Sequence, residues 1–268
     1  PCSRSCPAEP DHAMDPDLSF ALELADLADA VTTARFGASD LAVERKRDTT
    51  HVTDADREAE RVLREAILAR HPHDAIVGEE FGAEGDSGRR WIIDPIDGTA
   101  NFLRGIPVWA TLIGLERDGR VEVGVVSAPA MPRRWWAARG EGAYCDGRRL
   151  SVSTVSDLAD AQLCYADLPW WEAFGMGPQF LALVHAVWRT RGFGDFWQHM
   201  LVAEGAADIA LEPIVNLWDL AAIQPIVEEA GGRFTDHAGE PTPAGGNAVS
   251  TNGLLHDEVL GYLRAPAG

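Results

Sequence analysis

Apolar residues at 18, 21, 22, 24, 25, 28 and 31 recur at helical spacing and predict a long opening helix over 17–36. The stretch 37–51 is polar and glycine-containing, with a charged knot at Glu44-Arg45-Lys46-Arg47-Asp48, and reads as a solvated loop. A second helix is expected over 56–70, ended by His71-Pro72. Short apolar runs then predict strands at 75–78, 90–94, 107–116, 121–128 and 134–139. Asp118-Gly119 marks a hairpin turn and Asp146-Gly147 a further turn. From about 160 the pattern changes. Strands at 162–167, 208–212 and 246–251 alternate with helices at 178–190, 198–207, 217–230 and 254–263. The 217–230 helix carries apolar positions at 220, 223, 226, 227 and 230, and Gly231-Gly232 supplies its stop.

The first part therefore reads as α+β with a mostly antiparallel sheet, and the second as alternating α/β. We expect one catalytic unit over 14–268, built from subdomains of about 14–155 and 156–268 that share one active site. Residues 1–13, Pro-rich and polar, read as a disordered leader.

Composition narrows the functional classes. Hydrophobic content is 46% and charged content 24%, ordinary for a globular protein. A net charge of −19 argues against nucleic acid as a partner, although bound metal reverses the sign locally for a phosphorylated substrate. No apolar run has membrane-spanning length and no charged-then-apolar signal opens the chain, so a cytoplasmic enzyme is expected. Cys2, Cys6, Cys145 and Cys164 show no zinc spacing with histidine.

The richest chemistry lies in Asp94-Pro95-Ile96-Asp97-Gly98-Thr99. The strand Trp91–Ile93 delivers two carboxylates three residues apart, and strand-end carboxylates suit hard divalent cations. Gly98-Thr99 offers backbone N–H groups suited to phosphate. Taken alone, Asp-x-x-Asp-Gly reads more often as a surface turn. Upstream, Ile76-Val77-Gly78-Glu79-Glu80 is a second strand that stops at acids. Downstream, Asp219 falls in the first turn of a predicted helix, where an acid also serves the helix dipole. Together the segments suggest metal-assisted phosphoryl chemistry.

These segments resemble the inositol monophosphatase family of Mg²⁺-dependent, lithium-sensitive phosphatases. The resemblance rests on Gly78-Glu79-Glu80, on Asp94-Pro95-Ile96-Asp97-Gly98-Thr99 with Asn101-Phe102, on Trp218-Asp219 with Glu229-Ala230-Gly231-Gly232, and on Val52-Thr53-Asp54-Ala55-Asp56 followed by Glu60. It implies a layered αβαβα sandwich and a homodimer. It also implies one metal on Glu79, Asp94 and the Ile96 carbonyl, a second on Asp94, Asp97 and Asp219, and a weaker third touching Glu79. Mg²⁺ is the implied ion, with Mn²⁺ a substitute. The Gly98 and Thr99 amides would hold the phosphate. Asp56 with the Thr99 hydroxyl would orient and deprotonate the attacking water, a role that Glu79 takes in some schemes. Glu80 is expected just behind the metal ligands, and Glu60 is read as helix-surface charge.

The implied partner is a small phosphorylated metabolite, bound also by Asp97 and Asp219. Arg191-Gly192-Phe193-Gly194-Asp195-Phe196-Trp197-Gln198 and Glu212-Pro213 resemble the histidinol-phosphate phosphatase branch. Asp195 and Glu212 would pair with a cationic substrate and Trp197 would add a cation–π contact. Alternatively, Phe196 and Trp197 are core and Asp195 caps a helix. A polyol phosphatase acting on inositol 1-phosphate or fructose 1,6-bisphosphate is the alternative activity, and a non-catalytic binding protein the rival class. Trp170-Trp171 is expected at the substrate mouth or a dimer contact.

Overall fold

The computed structural model describes residues 14–45 and 51–264. The leader expected over 1–13 and the Lys46-Arg47-Asp48 part of the charged loop lie outside the described residues. In chain order the elements of the first half are α1 (Pro16–Arg35), β1 (Val43–Arg45), β2 (His51–Thr53), α2 (Asp54–Arg70), β3 (Ala75–Gly78), β4 (Gly82–Glu84), β5 (Arg89–Asp97), α3 (Thr99–Leu103), β6 (Ala110–Arg117), β7 (Arg120–Ala128), β8 (Arg133–Ala138), β9 (Gly142–Cys145) and β10 (Arg148–Arg149). The second half holds β11 (Gln162–Tyr165), α4 (Leu168–Ala173), α5 (Gly177–Ala186), β12 (Arg189–Arg191), α6 (Asp195–Ala203), β13 (Ile209–Glu212), α7 (Leu217–Ala221), α8 (Ile223–Glu229), β14 (Arg233–Thr235), β15 (Ala248–Thr251) and α9 (His256–Arg264).

An eight-stranded sheet runs β10-β9-β8-β7-β6-β5-β3-β4, antiparallel except for the parallel pair β3·β5. A five-stranded sheet runs β12-β11-β13-β15-β14, with β11 parallel to both its neighbours. Period-2 alternation splits the large sheet into two faces. Ile93, Ile113, Val123 and Val125 pack under α1 and α2. Leu112, Val126, Trp135 and Ala137 face the layer of α6 and α8. The far face of the small sheet, with Leu163, Ile209, Leu211 and Val249, is covered by α4, α5 and α9. The result is an α+β layered sandwich, αβαβα.

The hairpin signals form as expected. Asp118 and Gly119 both have positive φ, as do Asp146 and Gly147, the geometry of a two-residue turn whose twist matches the strands. Three expectations need correction. The polar 37–51 stretch contains β1 and leads at His51 into β2, three-residue strands too short to show a period. The predicted 217–230 helix is two helices meeting at Ala222, because Pro225 in the first turn of α8 has no N–H to give the preceding turn. Glu60 is fully buried rather than on the helix surface.

The α7–α8 junction sits on an unusually close seat. Gly114 of β6 pairs with Gly124 of β7. A Cβ on Gly114 would stand 3.0 Å from Ala221 Cβ, and one on Gly124 would stand 2.1 Å from the Ala222 carbonyl oxygen. Backbone cannot yield as a side-chain tip does. Gly124→Ala is expected to cost about 1–3 kcal/mol and to lift α7 from the sheet. Thermal melts with and without Mg²⁺ test this: the variant should melt lower and gain less from the ion, and an unchanged Mg²⁺ shift would refute the coupling.

Candidate active site

Strand register explains why the acids meet. In the parallel pair β3·β5, Gly78 aligns with Ile93, so the next residues, Glu79 and Asp94, emerge at the same end of neighbouring strands. A register shift in β5 between Asp94 and Asp97 turns both toward one side. Asp219 arrives from the second half as the third residue of α7, where its carboxylate accepts from the Asn216 N–H at 2.8 Å. Carboxylate oxygens of Asp94, Asp97 and Asp219 lie within 4.8 Å of one another.

The cluster is electrostatically unfavourable as protein alone. Burial, then the charges of Glu79, Asp97 and Asp219, push the Asp94 carboxyl well above the usual range. Burial and the charges of Asp195 and Asp219 do the same to Asp97. Asp219 is pushed up to about 7, chiefly by burial. Oxygen-rich, crowded and anionic, the set fits a hard divalent cation. The backbone fixes its orientation: Asp94 Oδ1 accepts from Ile96 N at 2.9 Å, and Asp97 Oδ2 from Phe196 N at 2.6 Å.

Beside the cluster, Thr99 Oγ1 bridges Asp56 Oδ1 (3.2 Å) and the Ile96 carbonyl (2.9 Å). Asp56 is the acid of a capping box at the start of α2, its other oxygen accepting from Thr53 N and Thr53 Oγ1. Burial raises it to about 6, assisted by the charge of Glu79. Gly98 precedes α3 with φ +83°, and a Cβ there would meet the Val108 carbonyl at 3.0 Å and Asp195 Oδ2 at 3.3 Å. Only glycine suits that turn.

Glu60 braces the same region. It lies one turn after Asp56 and forms an ion pair with Arg64 at 2.8 Å. Its carboxylate accepts from the N–H groups of Glu80 (2.7 Å) and Phe81 (3.2 Å), in space left by Gly78, where a Cβ would stand 2.1 Å from Glu60 Oε1. Arg64 also donates to the Gly82 carbonyl. Glu60→Ala removes the buried partner of the Arg64 guanidinium, leaving it the Gly82 carbonyl and the exposed Glu84, and takes the acceptor from two N–H groups, at a cost on the order of 3 kcal/mol. Urea denaturation measures it, and a loss under about 0.5 kcal/mol, typical of a surface charge, would refute the brace.

A cavity of about 610 Å³ is lined by Asn101 of α3, by Tyr165–Leu168 and Trp170, by Gly192–Asp195, and by Glu212, Pro213 and Ile214. Asp195 Oδ2 accepts from Asn101 Nδ2 at 3.0 Å, and Asn101 also donates to the Val108 carbonyl. Burial raises Asp195 to about 6. Glu212, bonded by Gln198, is driven well above the usual range by burial and by the charges of Asp195 and Asp219. Three acids and no lysine or arginine line the cavity among the described residues.

The sequence pattern of the inositol monophosphatase family matches residues 13–265. The chain belongs to the inositol monophosphatase family. It is 55% identical to a histidinol-phosphatase of Mycobacterium tuberculosis over 93% of this chain and 98% of that protein. It is 52% identical to a histidinol-phosphatase of Streptomyces coelicolor, covering 92% and 96% respectively. A Thermotoga maritima IMPase structure superposes with a TM-score of 0.84 at 32% identity, over 93% of this chain and 97% of that one.

As in the metal-dependent inositol monophosphatase family at large, an acidic cluster that fits a metal site stands at the centre. Asp94, Asp97 and Asp219 form it, with Glu79 in electrostatic reach and Asp56, Thr99 and Gly98 alongside. Asp195 and Glu212 line the neighbouring cavity. Trp197 does not: its ring packs against the core and tilts on Phe193 at 4.6 Å. Asp195 and Trp197 are two positions apart on α6, about 200° around a helix, so the aspartate faces the site and the indole faces away. Sequence reasoning did not single out Asn101 and Asp167 as site residues. Asn101 stood within the quoted family run, which was the signal for it. Asp167 carried none beyond its neighbour, Trp170.

Proposed function

We propose that this protein is a Mg²⁺-dependent phosphate monoester hydrolase acting on L-histidinol phosphate, as its relatives named histidinol-phosphatases do. The observation that carries the substrate is the cavity beside the acid cluster, which is lined by the acids Asp167, Asp195 and Glu212 and, among the described residues, by no lysine or arginine. A polyol gains nothing from Asp195 and Glu212 as charges, whereas the ammonium of histidinol phosphate pairs with both.

Two or three divalent ions, held by Glu79, Asp94, the Ile96 carbonyl, Asp97 and Asp219, would supply charge neutralisation and an acidified water. The protein's own groups do the rest. The Gly98 and Thr99 amides orient the phosphate. Thr99 Oγ1 aligns the attacking water, and its proton passes toward Asp56 Oδ1, or alternatively toward Glu79. Asp195 and Glu212 hold the amino alcohol in line.

The test is phosphate release from L-histidinol phosphate, inositol 1-phosphate and fructose 1,6-bisphosphate, each with Mg²⁺ and with chelator. A kcat/KM advantage of about a hundredfold for histidinol phosphate, roughly 2.7 kcal/mol of discrimination, is expected. Preference for inositol 1-phosphate would overturn the substrate, and release that persists under chelation would overturn the metal requirement. The family resemblance also implies a homodimer, which light scattering checks, and Mn²⁺ as a substitute ion.

A further inference from the structure

The cavity grades from a buried interior to an open mouth. Glu212 is only 6% exposed and Asp195 is half-buried beside Asp97, while Asp167 and Trp170 are exposed. Contacts along the wall give the same order: a Cβ on Gly194, next to Asp195, would meet Ala166 at 3.7 Å, and Asp167 follows Ala166.

The mouth carries apolar surface that nothing among the described residues covers. Leu168, Trp170 and Ile214 all line the cavity, and each remains 44–46% exposed. Trp170 is held in place by its neighbour, because Trp171 is fully buried and stacks on Phe180 with ring centroids 4.4 Å apart. With Trp171 anchoring one side of α4, that short helix is not free to roll its adjacent indole away from the opening. Asp167 stands at the N-cap of α4, where an aspartate ordinarily accepts a capping bond, yet its side chain caps nothing. An unspent carboxylate and a half-bare indole thus face one opening.

The substrate's own geometry fits this order. In histidinol phosphate the phosphate ester carbon is followed by the amine-bearing carbon, then by a methylene, then by the imidazole ring. With phosphate at the acid cluster and ammonium at Asp195 and Glu212, the ring points to the mouth. We propose that Trp170 and Asp167 form a subsite for that ring, the imidazole stacking on the indole within the Leu168 and Ile214 rim while a ring N–H donates to the Asp167 carboxylate. This rests on the histidinol phosphate reading above.

The test compares kcat/KM for L-histidinol phosphate with that for 2-aminopropyl phosphate, which keeps the phosphate and amine and lacks the ring. The readout is the ratio of the two in one enzyme, so a general loss of activity cancels. Wild type should favour the ring-bearing substrate. Trp170→Ala should lower the ratio about tenfold and Asp167→Asn several-fold, while Trp170→Phe, which keeps an aromatic face, should retain most of it. An unchanged ratio in both Trp170→Ala and Asp167→Asn overturns the subsite and leaves the substrate reading standing. Equal rates on the two substrates in wild type overturn it as well, leaving a phosphatase of amino-alcohol phosphates. A wild-type preference for inositol 1-phosphate over both removes the underlying reading and the subsite with it.

Discussion

Asp94→Asn is expected to lower kcat/KM for phosphate release by at least a thousandfold, about 4 kcal/mol of transition-state stabilisation, without unfolding the chain. Asp94 is buried and pressed by the charges of four other acids, Glu79, Asp97, Asp219 and Asp56. As a carboxylate it has two oxygens to share between cations, and an amide of the same shape offers one neutral oxygen. The stability effect should run the opposite way. Carboxyls whose folded pKa is raised favour folding below their unfolded pKa and oppose it as pH climbs through the folded value. For Asp219 that window runs from about 4 to about 7. Metal-free wild type should therefore lose stability across it, and Mg²⁺ should restore stability at pH 7.5 more than at pH 5. Asp94→Asn removes one of the opposing charges, so its metal-free form should melt no lower than wild type at pH 7.5 and should gain little from Mg²⁺. Near-wild-type turnover, or a full Mg²⁺ shift in the melting temperature, would refute the assignment of Asp94.

Glu212→Gln and Asp195→Asn should each cost thirty- to a hundredfold on L-histidinol phosphate, in line with ~2–3 kcal/mol for a charge-assisted bond in a desolvated site. On p-nitrophenyl phosphate, which has no ammonium, the losses should stay within about tenfold. Asp195 is expected to show the larger residual loss on that ester, because it shares Asn101 with the Gly98 turn and neighbours the Phe196 N–H that holds Asp97. Gln198 donates to Glu212, so the Glu212→Gln variant should also report through a weakened contact between α6 and β13. Equal losses on the two substrates would make these acids structural and remove the physical basis for a cationic substrate.

Much of this was legible in the chain itself. Local chemistry wrote the strand-end acids Asp94 and Asp97, the glycine turn at Gly98, the helix start that carries Asp219, and the Asp-Gly hairpins, because each depends on neighbours within four residues. The family motifs and the order of helices and strands followed from the same short-range signals. What sequence could not supply were relations between distant segments. Glu60 looked like a surface charge because its partners, the N–H groups of Glu80 and Phe81, lie about twenty positions away and present backbone, which no side-chain pattern announces. The Gly114–Gly124 seat that delivers Asp219 exists only once two strands pair and a helix junction descends on them. Asp195 meets Asn101 across 94 residues, and the choice of Trp170 over Trp197 at the cavity turned on helix phase and on which face found a core. The sequence by itself determined the chemistry and the local geometry of each acid. Only the tertiary structure decided which of them share one site, since burial and close approach are properties of packed layers and not of any single segment.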